Sequence, residues 1–317
     1  MPDIDIVYTW VNSRDEIWRQ KYDRYYPYSA EGKSFEKCRF NDNDELKYAL
    51  RSLEKYAPWI NRVFIITDNQ QPAWLNTKHP KISIIDHKDI IPHDKLPTFN
   101  SNAIEMCMSN IPNLSEYFLY GNDDTYFGSP VSPDFFYDND KIICRFIGKI
   151  NELKNSQYRN TLINSVRCLQ NHNYKCLGLM PHHNIDAYKK SVILKAIKEF
   201  NSEVQETLNH KYRTDYDIEK NIFALYAIAI GQGIRKDVYL CRNKTPVPIK
   251  VVKKLFKGSY NDSVFYQYNT PNIEEKLNRY SPRLFCINDN ETTSDEDRKK
   301  IKSLLAKMFP DKSSYEL

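Results

Sequence analysis

Apolar positions in the first half of the chain come in short runs with polar ends. "DIDIVYTWV" (3–11), "RVFIITD" (62–68), "KISIID" (81–86) and "YFLYGNDD" (117–124) each read as a strand that stops at polar or acidic residues. Between the first two, Leu46, Ala49, Leu50, Leu53 and Ala57 recur at helical spacing over 42–57, behind Asn and Asp residues suited to a cap. Ile104, Met108 and Ile111 mark a second amphipathic helix. Apolar strands alternating with helices predict an α/β fold: a doubly wound, Rossmann-like, mainly parallel sheet with helices on both faces. Ligands of such sheets bind outside the carboxyl ends of the strands.

From about Lys141 the pattern changes. Longer helical segments are expected over 184–200 and 217–230, in a helical insertion or lobe. "RLFCIND" (283–289) predicts a closing strand, and "SDEDRKKIKSLLAKMF" (294–309) a helix opened by a Ser294/Asp297 capping box. The expected division is a single domain over 1–317. It comprises an α/β part (1–140), a mainly helical part (141–280), and a closing strand and helix (281–317). "KGSYNDS" (257–263) is the expected mobile loop.

Composition narrows the classes. With 317 residues, 41% of them hydrophobic, the chain can bury a full core. Forty-six Lys and Arg against 41 Asp and Glu leave a net charge of +5 without blocks of like charge, which argues against nucleic acid and suits a small anionic substrate. The start "MPDIDIVYTWVN" enters a strand directly, and no window is apolar enough to span a membrane. Seven Cys without regular spacing fit a reducing compartment, so a cytoplasmic location is expected. The basic residues Arg298, Lys299, Lys300, Lys302 and Lys307 beside Ile301, Leu304, Leu305 and Met308 could touch a membrane surface peripherally. Packing of that apolar stripe onto the core is the favoured reading.

The chemistry concentrates at strand ends. Asp123 and Asp124 could hold a hard divalent cation, Mg²⁺ or Mn²⁺, that bridges a diphosphate; a solvated turn is the plain alternative. Asn288 and Asp289 close another apolar run and could supply further oxygen donors to the same ion. Adjacent strand residues point to opposite faces, so one of Asp123 and Asp124 is expected to ligate directly. His182 and His183 follow a proline and suit general-base work, while Arg167 and Arg213 could clamp phosphate oxygens. Structural or salt-bridging roles are the alternatives for each. Trp10 and Asn12 could stack on and read a nucleobase; core packing serves Trp10 equally well. Cys168, His172 and Cys176 stand at four-residue steps, but without a fourth ligand or a CxxC pair they do not predict zinc.

Several stretches together resemble the Stealth family of sugar-phosphate transferases. These are "DIVYTWVNSRD" (5–15), "RFNDNDELKYALRSLEKYAPWINRVFIITDNQQPAWLN" (39–76), "LPTFNSNAIE" (96–105), "YGNDDTYFG" (120–128), "MPHHNID" (180–186) and "RLFCIND". Where the family reads H-x-P-H, Leu179 takes the first position here, which leaves His182 as the matching histidine. The resemblance implies transfer of a sugar 1-phosphate from a nucleotide sugar, such as a UDP-N-acetylhexosamine, to a glycan hydroxyl, with release of the nucleoside monophosphate. It also implies a place in capsular or cell-surface polysaccharide synthesis. By the same match Asp124 is the essential carboxylate, His182 the essential histidine, Arg167 and Arg213 the arginines near the phosphates, and Asn288 and Asp289 the last acidic pair. Trp10, Asn12 and Asn102 would then line the nucleotide sugar. A metal-dependent glycosyltransferase that releases nucleoside diphosphate is the alternative enzyme. A noncatalytic carbohydrate-binding protein is the alternative from another class, since 23 Tyr and 4 Trp could stack on sugars.

Overall fold

The computed structural model describes residues 2–26, 37–240 and 259–317. Its central sheet has the strand order β3 (Ile82–Asp86), β2 (Val63–Thr67), β1 (Ile4–Thr9), β4 (Tyr117–Asn122) and β9 (Asp186–Lys189). The first four strands run parallel, and β9 closes the edge antiparallel to β4. Parallel strands are covered on both faces, which is why "IVY" (6–8), "VFII" (63–66) and "FLY" (118–120) are apolar at consecutive positions and buried. Helix α1 (Glu16–Tyr25) follows β1, and α2 (Glu45–Tyr56) supplies the crossover to β2, burying Leu46, Ala49, Leu50 and Leu53 along one face. The short helices α3 (His87–Ile90) and α4 (Ser101–Met106) lead from β3 to β4. This is the mainly parallel α/β architecture that the apolar runs predict.

The second half departs from its helical expectation. Lys141 opens the nine-residue strand β7 (Lys141–Lys149), centre of a sheet with β6 (Tyr137–Asp138), β8 (Leu179–Pro181), β10 (Gly233–Tyr239) and β11 (Ser259–Tyr260). A buried run as short as "IICRF" has no period that separates strand from helix. Of the loop expected over 257–263, Lys257 and Gly258 lie outside the described residues, and Ser259, Tyr260 and Ser263 belong to strands. Helix α5 (Gln157–Asn171) is capped by Ser156, whose hydroxyl accepts the Arg159 N–H (3.2 Å).

The segment over 184–200 splits into β9 and α6 (Lys190–Glu199), with α7 (Asn201–Asn209) after it. The one over 217–230 begins its helix α8 only at Asn221 and ends at Ala229. Side chains intercept the backbone before that point: Ile218 N–H donates to Thr207 Oγ1 (3.1 Å) and Glu219 N–H to Ser165 Oγ (3.0 Å). Likewise the helix expected through Ile111 stops at Met106, and a 3₁₀ turn continues it over Met108–Asn110.

A third sheet joins β12 (Ser263–Gln267), β13 (Leu284–Asn288) and β5 (Thr125–Phe127). β12 and β13 are parallel, so α9 (Ile273–Tyr280) crosses between them. The buried pair of Arg145 on β7 and Asp262 (2.8 Å) ties the second sheet to this third one, and Arg283 adds a bond to the same carboxylate (3.0 Å). Helix α10 (Asp295–Met308) starts with the expected capping box and buries Ile301, Leu304 and Leu305. Its apolar stripe therefore packs on the core.

Asp5 anchors the amino end of the central sheet. Fully buried, it accepts bonds from Asn61 Nδ2 (2.9 Å) and Ser115 N–H (2.8 Å) and pairs with Arg62 (3.2 Å). Asp5→Ala is expected to lower unfolding free energy by about 2–3 kcal/mol, below the ~3–5 of fully buried pairs because Arg62 can rehydrate. A urea titration reads this as a lower midpoint at unchanged slope, and an unchanged midpoint would remove Asp5 from the account.

Candidate active site

β4 ends at Asn122, and the turn Asp123–Asp124 carries the chain into β5. Thr125 Oγ1 donates to the Asn122 carbonyl (2.6 Å) and fixes that turn. Asp124 is buried: Oδ2 accepts from Asn288 Nδ2 (2.8 Å), whereas Oδ1 is buried with no nitrogen or oxygen partner among the described residues, and the Cys286 thiol interacts with this carboxylate. Glu45, the first residue of α2, is buried beside it. Glu45 accepts from Tyr268 Oη (2.6 Å) and Asn43 Nδ2 (2.8 Å).

Burial raises the carboxyls of Asp42, Glu45, Asp123 and Asp124 together. Bonds from Tyr268 and Asn43 temper the effect at Glu45, which still reaches about 7 from an ordinary 4.5. Asp123 rises well above its usual range, first by burial and then by the charges of Glu45, Asp124 and Asp42. Repelling carboxylates with an unsatisfied buried oxygen are a fitting donor set for a hard cation, which takes oxygen ligands and removes the repulsion.

A basic group stands on the same sheet edge. In the pairing of β9 with β4, Asp186 lies opposite Tyr120. Its Oδ1 accepts from His182 Nε2 (2.8 Å), and its Oδ2 forms an ion pair with Lys220, just ahead of α8. His182 is buried, and its Nδ1 has no hydrogen-bond partner among the described residues. With the Nε2 proton given to Asp186, that Nδ1 carries the free lone pair.

Burial opposes the charges on Asp186 and Lys220, yet each outweighs it for the other. Asp186 is held well below the carboxylate range, and Lys220, helped by Glu105 and Glu219, rises to about 12. His183 has a left-handed backbone (φ 48°) and stands edge-on to Tyr158 and Phe265. Burial, with Lys220 and Arg213 nearby, lowers its pKa to about 3, so it is a neutral wall and His182 is the candidate base.

The two groups adjoin. Lys220 lies over the Tyr120 ring (5.7 Å), and Tyr120 Oη donates to Asn122 Oδ1 (3.2 Å) and Glu105 Oε1 (3.1 Å). The Cys286 thiol lies within electrostatic reach of both groups: burial, Asp124 and Asp123 raise its pKa, and Lys220 opposes them. Gly121 permits the approach: a Cβ there would stand 2.6 Å from Thr125 Oγ1 and 3.2 Å from Ile185.

Other sequence candidates are dispersed. Arg213 donates to Ser101 Oγ at the start of α4 (2.8 Å) and lies close enough to Glu105 to favour its charged form. Arg167 is exposed on α5, flanked two residues away on each side by buried Ser165 and Leu169, and thus faces the opposite way from Ser165. Asn102 donates to Asp217 (3.1 Å), which also binds His210 and Thr214 and so shapes the loop bearing Arg213. Trp10 is buried in the core, and Asn12 is held in a turn by Gln70 and Arg14.

Both oxygens of Asp289 are taken by Arg298 (3.0 and 3.2 Å). Arg298 also lines a cleft of about 310 Å³ with Arg14, Asp42, Asp44, Lys299 and Lys302. Sequence reasoning missed Glu45, Asp186 and Lys220. Asp186 lay four residues after His182, but Lys220 carried only the faint signal of a charged pair, Glu219–Lys220, ahead of an apolar helix.

A family model, Stealth protein CR2, conserved region 2, matches residues 39–145. The chain is 33% identical over 304 residues to a capsular polysaccharide phosphotransferase of Haemophilus influenzae, an alignment covering 92% of this chain and 79% of that one. It is 30% identical to the capsular polysaccharide phosphotransferase LcbA of Aeromonas hydrophila, over 96% and 84% of the two chains. Among solved structures, galactosyltransferase LgtC in complex with donor and acceptor sugar analogs aligns over 98% of both chains, at 10% identity and a TM-score of 0.43. No helix among the described residues is long and apolar enough to cross a membrane.

The raised carboxyls fix a pH signature. Glu45 binds a proton in the folded state up to about pH 7 but in the unfolded chain only to about 4.5, so its contribution is complete below 4.5 and is lost as pH rises through 7. Glu219, raised by burial to about 8, acts in the same direction. A cation held by ionised carboxylates reverses that loss. Thermal melts should therefore show Mg²⁺ or Mn²⁺ stabilising the protein more at pH 8 than at pH 6, and Asp124→Asn should reduce the difference. Equal stabilisation at both pH values would count against a cation at these carboxylates.

Proposed function

The chain belongs to the Stealth family, and from that premise we propose that it transfers a sugar 1-phosphate from a nucleotide sugar, UDP-linked, to a glycan hydroxyl during capsular polysaccharide synthesis. The observation that carries this reading is the His182–Asp186 pair, with its unpartnered Nδ1, on the same sheet edge as Asp123 and Asp124. An acceptor hydroxyl gives its proton to Nδ1, and Asp186 stabilises the imidazolium that results. The hydroxyl oxygen bonds to the phosphorus nearest the sugar. The bond from that phosphorus to the bridging oxygen breaks, and nucleoside monophosphate leaves with the electron pair.

Charge spreads over the nonbridging and leaving oxygens during this step, so fixed cations supply much of the catalysis. Lys220 and Arg213 fit that role. Arg167, facing solvent, fits it only through a long reach across α5. Asp124 and Asp123, with Asn288 bonded to Asp124, would hold Mg²⁺ or Mn²⁺. When bound, the ion supplies positive charge that neutralises the diphosphate. Asp289 could join the ion only by releasing Arg298. Asn102 acts by positioning the Arg213 loop, and Trp10 and Asn12 by shaping the end of β1 beside the donor.

Incubation of the purified chain with UDP-sugars, Mg²⁺ and glycan acceptors tests the reading. Nucleoside monophosphate and a phosphodiester resonance in the phosphorus spectrum are expected; nucleoside diphosphate with an unphosphorylated glycoside would overturn it in favour of glycosyl transfer. His182→Ala is expected to lower kcat by about 10²–10⁴ while donor affinity changes little. Loss of donor binding with kcat intact would remove His182 as the base.

A further inference from the structure

Away from that site, the last turn of α5 and the flank of α7 bring Cys168, His172 and Glu203 together. Their sulfur, nitrogen and oxygen atoms all lie within 4.8 Å of one another. Cys168 and His172 are four residues apart at the helix end and so share a face. His172 Nε2 is 3.2 Å from Glu203 Oε1. Glu203 Oε2 is buried with no nitrogen or oxygen partner among the described residues, and the Cys168 thiol interacts with this carboxylate. The other imidazole nitrogen, Nδ1, lies 3.9 Å from Glu199 Oε1, near enough for a small rotamer change to bring in the carboxylate support that orients a ligating histidine. Cys176, the third residue in the sequence spacing, turns its sulfur to the Leu177 carbonyl (3.5 Å) instead.

Tetrahedral bonds of about 2.0–2.3 Å set ligand atoms roughly 3.3–3.8 Å apart, so rotamer adjustments of about 1 Å bring these three into register. We propose that Cys168, His172 and Glu203 form a second metal site, for a borderline-soft divalent ion of the zinc class, with the fourth position open to water. A thiol and an imidazole select against Mg²⁺ and Ca²⁺, which separates this site from the all-oxygen donors at Asp124. Binding displaces the Cys168 proton to solvent and leaves a thiolate on the metal.

The ion clamps α5 to α7. α5 also carries Ser165, whose hydroxyl holds the Glu219 N–H next to Lys220, so the clamp braces the backbone behind the basic group. The role is structural and stands whether or not sugar-phosphate transfer is the reaction.

Cobalt titration of the metal-stripped full chain tests it. One equivalent should raise an intense thiolate-to-cobalt charge-transfer band that zinc abolishes. Cys168→Ser should lose the band, His172→Gln and Glu203→Gln should weaken binding at least tenfold, and Asp124→Asn should leave it intact. Circular dichroism identifies any variant that fails to fold, and the remaining variants then decide. Absence of the band in the wild-type protein overturns the proposal. So does a band that survives Cys168→Ser or is lost only in Asp124→Asn, since the sulfur would then be Cys286 beside Asp124.

Discussion

Buried carboxylates that repel one another at the carboxyl edge of a parallel sheet are the constraint around which this protein is arranged. Glu45 and Asp124 are buried and Asp123 is half-buried among α2, the β4–β5 turn and β13, and burial raises all three. A few residues along the same edge, Lys220 and Asp186 form the opposite case, in which each ion stabilises its partner against burial. An acidic half short of positive charge among the described residues and a basic half that includes the His182 imidazole make up the proposed two-sided site. The absence of a side chain at Gly121 lets the two halves meet.

That arrangement separates two tasks. In the proposed reaction the acidic half would take the diphosphate through a cation, and the basic half the transferred phosphoryl and the incoming hydroxyl. Chemistry at phosphorus needs charge on both sides of the reacting atom and one base, whereas chemistry at an anomeric carbon needs charge chiefly at the leaving group. Three sheets converge on the edge, and buried polar ties hold them: Arg145 to Asp262 between the second and third, and Asn184 to Ser263 and Val264 between the His182 loop and β12.

Much of the first half was legible because parallel strands and amphipathic helices write their burial directly into the chain. The runs ending at Thr9, Thr67, Asp86 and Asn122 are strands, and the α2 face is buried as its spacing predicts. The second half was harder to read. The buried run of β7, "IICRF", is short and without alternation, and β9 is continuous with the helix after it. Side-chain bonds from Thr207 and Ser165 delay α8, and no local pattern encodes partners 11 and 54 residues away. The same limit applies to the site. Asp124 and His182 could be picked out by residue type and strand position, but Glu45, Lys220 and Glu203 acquire their chemistry only from what folding places beside them.

The most direct test of the two-sided site is paramagnetic relaxation of the His182 imidazole by Mn²⁺ in isotopically labelled protein. A cation at Asp124 should broaden the His182 ring resonances selectively, and Asp124→Asn should abolish the effect. Ring signals that stay sharp in the wild type, or broadening that persists in Asp124→Asn, would contradict the account by separating the cation from the base.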